Sequence, residues 1–137
     1  MNQIKLKKIT LKDHSFLYEL LEKRDKIVNI SHKKMPTFSQ HQKFIESKPY
    51  QYWYIIYEER NKIGSIYLSK INEIGISILK EKQNQGFEEN ALELIMKKHK
   101  RKRFLANVSS KNKKLESFFK KQGFKKIQHT YEFSNEK

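Results

Sequence analysis

The stretch from Asn72 to Leu92 combines residue types that suit the binding of an anion. An apolar run ending at Leu79 predicts a buried strand, and a polar turn that closes on Gly86 follows it. Phe87 then opens a segment with helical periodicity. Because the first N–H groups of a helix lack partners within the helix, this order of elements predicts a phosphate site. Gly86 can equally do no more than shape the turn before the helix.

The elements that must position this stretch alternate along the chain in the order β-α-α-β-β-β-α-β-α-β. A helix that leaves an antiparallel meander and returns to a further strand implies a right-handed crossover and one parallel pair. A mixed α/β architecture follows from this order. The strands are predicted at residues 2–9, 51–58, 63–69, 73–79 and 104–108, with a last strand or hairpin at 124–133. The helices are predicted at 10–24, from 37 to before 49, from 87, and at 111–122. Thr37 is expected to cap the second helix, and Gly123 to close the last one in left-handed geometry.

The composition restricts the classes of function. The chain has 137 residues, which suits a single domain, expected at 1–134 with a short tail at 135–137. It has no cysteine, which excludes disulfides, thiolate zinc sites and cysteine nucleophiles. Metal-ligand spacings, Ser/His/Asp triads, a signal peptide and an apolar run of about 20 residues are also missing from the sequence. We therefore expect a cytoplasmic enzyme or binding protein without a metal and without a membrane span.

The net charge of +15 has two interpretations. It can indicate a polyanionic partner such as nucleic acid or anionic lipid. It can also reflect a composition rich in lysine throughout, and we favour this second interpretation because lysines lie along nearly every segment. The densest cluster runs from Lys97 to Arg103, between a predicted helix and a predicted strand. No specific nucleic-acid partner is expected.

Two motifs resemble those of the GNAT N-acetyltransferase family. The turn Gln83-x-x-Gly86-x-Glu88 is similar to the family's acetyl-CoA loop, which is usually Arg/Gln-x-x-Gly-x-Gly/Ala between a strand and a helix. From Asn112 to Phe124, an asparagine, an apolar residue, an aromatic pair and Gly-Phe follow the order and spacing of the second signature. The resemblance covers essentially the whole chain. It implies the GNAT acyltransferase fold, an α/β (α+β) architecture with a mixed, mostly antiparallel twisted sheet flanked by about four helices.

The resemblance also implies acetyl-CoA as cosubstrate and direct attack by a primary amine in a ternary complex. The strand at Ile76, Ile78 and Leu79 would splay from its parallel neighbour near Asn107 and hold the pantetheine arm. Asn112 would contact the same arm, or only cap its helix. The pyrophosphate would bind N–H groups of the turn, which contains Gln83, Asn84, Gln85, Gly86, Phe87 and Glu88.

On the acceptor side, Glu73 is the candidate general base, acting through water, because a protonated amine must lose a proton before it attacks. It can also be a strand-end carboxylate paired with a lysine. Trp53 and Tyr54 are expected to line the acceptor pocket, although one of them is expected in the core, and His32 is a further candidate. A nucleotide-linked amino sugar is the expected acceptor, with protein N-termini and small amines left open. A monomer or a homodimer is expected.

Two positions depart from the family pattern. Phe119 stands where the family often has a tyrosine that protonates the leaving thiolate, and Glu88 stands where a small residue is expected. These departures sustain a second hypothesis, an acyl-CoA-binding domain without turnover. A third hypothesis is a basic RNA-binding module, which would present lysines and stacking aromatic residues on one surface.

Overall fold

The computed structural model describes residues 3–24 and 34–135, and in them five strands and four α-helices. The strands are β1 (Ile4–Lys8), β2 (Tyr52–Glu58), β3 (Asn61–Leu68), β4 (Glu73–Ile78) and β5 (Leu105–Ala106). The helices are α1 (His14–Lys23), α2 (Phe38–Glu46), α3 (Phe87–Lys98) and α4 (Lys113–Lys121). Short 3-10 turns at Leu11–Asp13 and Lys80–Lys82 lead into α1 and out of β4.

The five strands form one sheet in the order β1-β2-β3-β4-β5. The first four strands pair antiparallel, and β4 and β5 pair parallel. The long connection through α3 accounts for the parallel pair, because a crossover of this kind returns the chain in the same direction. The predicted mixed, mostly antiparallel sheet flanked by about four helices is confirmed.

Side-chain alternation divides the apolar residues between the two faces of the sheet. In β2, Tyr54 and Ile56 belong to the larger cluster, which packs under α3 and α4, whereas Ile55 belongs to a smaller cluster under α1 and α2. These three side chains are almost completely buried. Burial of one such side chain contributes about 1.5–3 kcal/mol, so the two faces together hold the helices in place.

Threonines fix the starts of the first two helical segments. Thr37 Oγ1 accepts from the N–H of Gln40 at 3.1 Å, and Gln40 Oε1 accepts from the N–H of Thr37 at 2.9 Å, so the predicted cap is a complete capping box. Thr10 and Asp13 make the same arrangement at the 3-10 turn before α1. The buried carboxylate of Asp13 also lies 2.7 Å from Lys62 Nζ, which ties this turn to β3.

The last predicted strand is wrong. Residues 124–133 form no strand and pair with none of the described strands. Phe124 packs against the larger cluster, but Ile127, Tyr131 and Phe133 are exposed. The alternating pattern predicted a strand, but a strand also needs the backbone of a neighbour, and β5 pairs over only two residues. For the same reason the strand predicted at 104–108 is shorter than expected.

Two members of the basic cluster from Lys97 to Arg103 support the sheet. The Arg101 guanidinium donates to the carbonyl of Ser69 at 2.7 Å, to Asn72 Oδ1 at 3.0 Å and to Gln51 Oε1 at 2.7 Å. His99 Nε2 lies 2.6 Å from the Tyr54 hydroxyl. These contacts fasten the end of α3 to the turns of the sheet.

None of the helices in residues 3–24 and 34–135 has both the length and the apolar character that crossing a bilayer requires.

Acidification should destabilise the protein partly through His99. Burial lowers the pKa of His99 below its ordinary value, and repulsion from Lys98, Arg101 and Lys8 lowers it further. The unfolded chain therefore binds this proton more readily, so the free energy of unfolding falls as the pH drops below about 6.5 and is unaffected above it. Urea unfolding at about pH 7.5 and about pH 5.5 should show a smaller loss of stability for His99→Gln than for the wild type. Equal losses would assign the pH dependence to other groups.

Candidate active site

The parallel pairing between β4 and β5 ends after two residue pairs. Glu73 pairs with Leu105 and Ile74 with Ala106, and beyond Ala106 the chain leaves the sheet. β4 continues to Ile78 with β3 alone as its neighbour. The edge of β4 beyond Ile74 therefore faces a gap instead of a strand.

Two hydrogen bonds show which backbone groups of β4 turn toward β3. The carbonyl of Glu73 accepts from the N–H of Ser69 at 2.8 Å, and the N–H of Leu79 donates to the carbonyl of Ile63 at 2.8 Å. Because N–H and C=O groups alternate in direction along an edge of an antiparallel pair, the intervening even-numbered residues turn toward β5 and the gap. Those residues are Ile74, Ile76 and Ile78.

These three residues have different partners. Ile74 pairs with Ala106, and the carbonyl of Ile78 accepts from Gln83 Nε2 at 3.0 Å. Ile76 has no partner on this side among the described strands. Its N–H and C=O are therefore available to a ligand with amide groups, because such groups supply both an acceptor and a donor. The predicted splay beyond the start of β4 is present.

The N-terminus of α3 opens beside this gap. Gly86 is the N-cap residue and has φ 85° and ψ 2°, a left-handed conformation that glycine adopts without strain. The side chains of the described residues do not cap the helix. The carbonyl of Gly86 accepts the first helical hydrogen bond, from the N–H of Asn90 at 3.1 Å. The N–H groups of the first turn thus lack intrahelical partners and carry the positive end of the helix dipole.

A cavity of about 1440 Å³ connects the turn before α3, the gap and the α1/α2 face of the sheet. Twelve of the predicted site residues line it. Seven of them lie along β4, in the turn after it and at the start of α3, namely Ile76, Ile78, Leu79, Gln83, Asn84, Gly86 and Glu88. Elsewhere they are Trp53, Glu73, Asn107, Asn112 and Phe119.

The side chains of three predicted residues do not line the cavity, and one residue cannot be placed. Gln85 is exposed, with its side chain on the carbonyl of Glu81, and Phe87 is buried in the larger cluster. Tyr54 is 1% exposed on the α3 side of the sheet and does not line the cavity. Trp53 and Tyr54 are adjacent in a strand, so their side chains point to opposite faces and only Trp53 can face the cavity. His32 lies outside the described residues.

Glu73 is held by an amide. Asn107 Nδ2 donates to Glu73 Oε2 at 2.6 Å, a contact made possible because Asn107 follows β5 directly. Among the ion pairs of residues 3–24 and 34–135, none joins Glu73 to a lysine, so the structure does not support the alternative of a paired strand-end carboxylate. One oxygen is fixed by the amide, and the carboxylate lines the cavity.

Glu88 occupies the first turn of α3. Its Oε1 atom is buried and has no hydrogen-bond partner among the described residues. A carboxylate at this end of a helix is favoured by the dipole, but it also competes with any other anion for the same N–H groups. Lys82, a neighbouring cation, lies 2.7 Å from Glu58 Oε1 and is engaged there. Lys80 lines the cavity.

Asn112 and Phe119 belong to α4. Asn112 Oδ1 accepts from the N–H of Leu115 at 3.1 Å, so Asn112 caps its helix while lining the cavity. Phe119 is 5% exposed, and its ring contacts Phe118 and Phe124. A phenylalanine can neither donate nor accept a proton. Gly123, at the end of α4, has φ 94°, the left-handed geometry predicted for a helix-closing glycine.

Two tyrosines that were not predicted line the α1/α2 side of the cavity. The rings of Tyr50 and Tyr67 stack with centroids 3.6 Å apart and planes inclined by 5°. Burial raises the pKa of both phenols, and Glu73 raises it further, while Arg24 acts in the opposite direction. The signal in the sequence was Gly75, because a glycine inside a strand often marks the close approach of another group.

Within the described residues, no three side chains of His, Asp or Glu come together as ligands for a metal ion.

Comparison with solved structures gives close matches in fold. An acetyltransferase from Thermus thermophilus has a TM-score of 0.75 and 20% identity, over 93% of this chain and 92% of that one. Mutant forms of the spermidine/spermine N-acetyltransferase SpeG from Vibrio cholerae have a TM-score of 0.73 and 21% identity, over 93% and 82% of the two chains. The microcin self-immunity acetyltransferase MccE, in complex with acetyl-CoA and AMP, has a TM-score of 0.71 and 21% identity, over 90% and 79%.

No protein-family model matches the sequence, and no curated protein matches it. The structural likeness extends over at least 90% of this chain in each of these three comparisons. The chain therefore has the GNAT-type acetyltransferase fold that its two motifs predict.

Proposed function

We propose that this protein transfers an acetyl group from acetyl-CoA to a primary amine. One observation carries the proposal: an unpaired strand edge at Ile76 lies in the same cavity as the uncapped N-terminus of α3. A strand edge can bind amide groups and a helix N-terminus can bind phosphate, and CoA carries both. The likeness to MccE, which was solved with acetyl-CoA, supports the same ligand.

The residues of this chain fit acetyl-CoA in two parts. The pantetheine arm would bind the N–H and C=O of Ile76, and the pyrophosphate would bind the first N–H groups of α3 behind Gly86. Three of the lysines that line the cavity can offset phosphate charge, namely Lys80, Lys114 and Lys121. Asn112 can donate to the arm through its amide nitrogen, while its oxygen caps α4.

Bound acetyl-CoA supplies a thioester whose acyl carbon an amine attacks directly. Glu73 would accept the proton of the ammonium group, through water, before this attack. Asn107 orients the carboxylate by its bond to Oε2 and leaves the other oxygen for the proton path. Phe119 offers no acid, and the thiolate needs none from the chain, because a thiol has a pKa near 8.5 and water can protonate it.

A nucleotide-linked amino sugar is the acceptor that we propose. The α1/α2 side of the cavity carries Phe44, Tyr50 and Trp53, and such rings stack on the apolar faces of sugars and bases. The amine would meet Glu73 at the inner end of this wall. SpeG, with a similar fold, acts on spermidine and spermine, so polyamines belong in the same acceptor screen.

The two rival hypotheses rest on different features. Glu88 and Phe119 favour an acyl-CoA-binding domain without turnover. The carboxylate of Glu88 repels a phosphate at the N-terminus of α3, and Phe119 has no proton to give to the leaving thiolate. The RNA-binding hypothesis has less support, because Arg101 and His99 of the basic cluster are used within the chain. Binding without turnover would select the first rival, and tight, sequence-selective RNA binding near physiological salt would select the second.

Acetyl-CoA should stabilise the protein against heat. A ligand at about 100 times its dissociation constant adds roughly 2.7 kcal/mol to the free energy of unfolding, which raises the melting temperature of a domain of this size by several degrees. A thermal melt with millimolar acetyl-CoA or CoA, compared with adenosine at equal concentration, measures this shift. No shift with either thioester or thiol would remove the basis of both CoA hypotheses.

Glu73→Gln should lower turnover by about 10²–10⁴ while leaving the affinity for acetyl-CoA nearly unchanged. The amide keeps the size of the side chain and can still contact Asn107, so the change removes mainly the base. Release of CoA, measured with the best amine from the screen, gives kcat and KM. The matched control is Glu93→Gln, an exposed carboxylate of α3 that does not line the cavity, which should keep full turnover. Unchanged turnover in Glu73→Gln would place the base elsewhere.

Glu88→Gly should tighten acetyl-CoA binding several-fold, because it removes a like charge from the anion site. At separations of a few ångströms, partly screened repulsion between two charges is on the order of 1–2 kcal/mol, or about tenfold in affinity. The gain should be larger at low salt than at high salt. Glu88→Gln separates charge from helix propensity and should show a similar gain. Titration calorimetry at two salt concentrations is the measurement, and equal or weaker binding would show that Glu88 points away from the phosphates.

A further inference from the structure

Gly75 and Tyr67 form a contact that the proposed mechanism does not use. They face each other across β3 and β4. A methyl group at Gly75 would overlap the Cε2, Cζ and hydroxyl oxygen atoms of Tyr67. The phenol end of Tyr67 therefore lies flat on the backbone of Gly75, and only glycine leaves room for it.

Tyr50 covers the other side of this ring. The two rings are nearly parallel, at 3.6 Å between centroids. Tyr67 is thus packed between Gly75 on one face and Tyr50 on the other. The hydroxyl is the only polar group of this side chain, so a ligand in the cavity can receive a hydrogen bond from Tyr67 only through it.

The position of the phenol relates it to the reacting groups. Glu73, Gly75 and Ser77 lie on the same face of β4, because alternate residues share a face. Along β4, Gly75 lies after Glu73, the proposed base, and just before Ile76, whose backbone borders the gap. The Tyr67 hydroxyl thus lies over the strand between the base and the proposed arm site, inside the same cavity.

We propose that the Tyr67 hydroxyl donates a hydrogen bond to the carbonyl oxygen of the acyl group, and that Gly75 and Tyr50 hold the phenol in place for it. The inference rests on the proposed function. As the amine attacks, negative charge grows on this oxygen, and a fixed donor in a partly dehydrated cavity stabilises it. The carbonyl is the better target than the thioester sulfur, which is a weak acceptor.

The electrostatics of the site suit a donor that keeps its proton. Burial is the largest cause of the raised pKa of Tyr67, and the negative charge of Glu73 adds to it, with Arg24 opposing. The phenol therefore stays protonated around neutral pH and acts by hydrogen bonding, without proton transfer. This role differs from protonation of the thiolate by a residue at the position of Phe119.

Acetyl-CoA and CoA together provide the test, because CoA lacks the acyl carbonyl. Tyr67→Phe removes the hydroxyl and keeps the ring, so it should weaken acetyl-CoA binding about three- to tenfold and leave CoA binding unchanged. Gly75→Ala should displace the ring and cause the same selective loss. In infrared spectra of acetyl-CoA labelled at the acyl carbon, the carbonyl band should move to higher wavenumber in Tyr67→Phe, because a hydrogen bond to that oxygen is lost.

Tyr57→Phe is the matched control, since Tyr57 lies on the same face of the sheet but does not line the cavity, and it should change neither affinity. Equal losses for acetyl-CoA and CoA in Tyr67→Phe would overturn the proposal, because they would show only structural support. Unchanged affinity and an unchanged carbonyl band would also overturn it. Failure of the wild type to bind either ligand would instead overturn the proposed function, and this inference with it.

Discussion

Backbone hydrogen bonding between β4 and β5 stops after Ile74, and the site depends on this early separation. An unpaired amide is costly inside a protein, so an exposed strand edge persists only where solvent or a ligand can satisfy it. Ile76 presents such an edge, and Gln83 closes it on one side by binding the carbonyl of Ile78. The gap also connects the two faces of the sheet within one cavity. A long ligand can therefore lie on the α3/α4 side and present its end to the α1/α2 side.

The alternation of side chains in β2 and β4 assigns different chemistry to the two faces. The α3/α4 face holds most of the apolar core, including Tyr54, whose hydroxyl is used by His99. The α1/α2 face holds the carboxylate of Glu73 and the aromatic wall around Trp53. Since a one-residue shift would exchange the faces, the register of the meander determines which residues can meet an acceptor. Arg101, which bonds to the turn between β3 and β4 and to Gln51 just before β2, helps to keep that register.

Favourable and unfavourable charges for an anion lie close together at the N-terminus of α3. The helix dipole favours an anion there, as do Lys80, Lys114 and Lys121 in the cavity. Glu88 opposes an anion, and Lys82 is already paired with Glu58. A carboxylate in this position stabilises the empty helix and lowers its affinity for phosphate at the same time. Such a balance suits a cosubstrate that is held at moderate strength and released after each reaction. It also fits a domain that has lost strong binding, and turnover by the wild-type protein separates the two.

The sequence by itself determined the order of the elements from β1 to α4, the mixed sheet, the capping of α2 by Thr37 and the glycine turns at Gly86 and Gly123. Periodicity, caps and left-handed turns are local properties, which is why these predictions succeeded. It also indicated twelve of the residues that line the cavity, most of them through motifs whose spacing is local. Only the tertiary structure decided which of Trp53 and Tyr54 faces the site, that Asn107 holds Glu73, and that residues 124–133 form no strand. Tyr50 and Tyr67 were missed for the same reason. Their placement depends on a neighbour across the sheet, on the absent side chain of Gly75 and on pairing between distant strands, and contacts of that kind leave no periodic pattern in the chain.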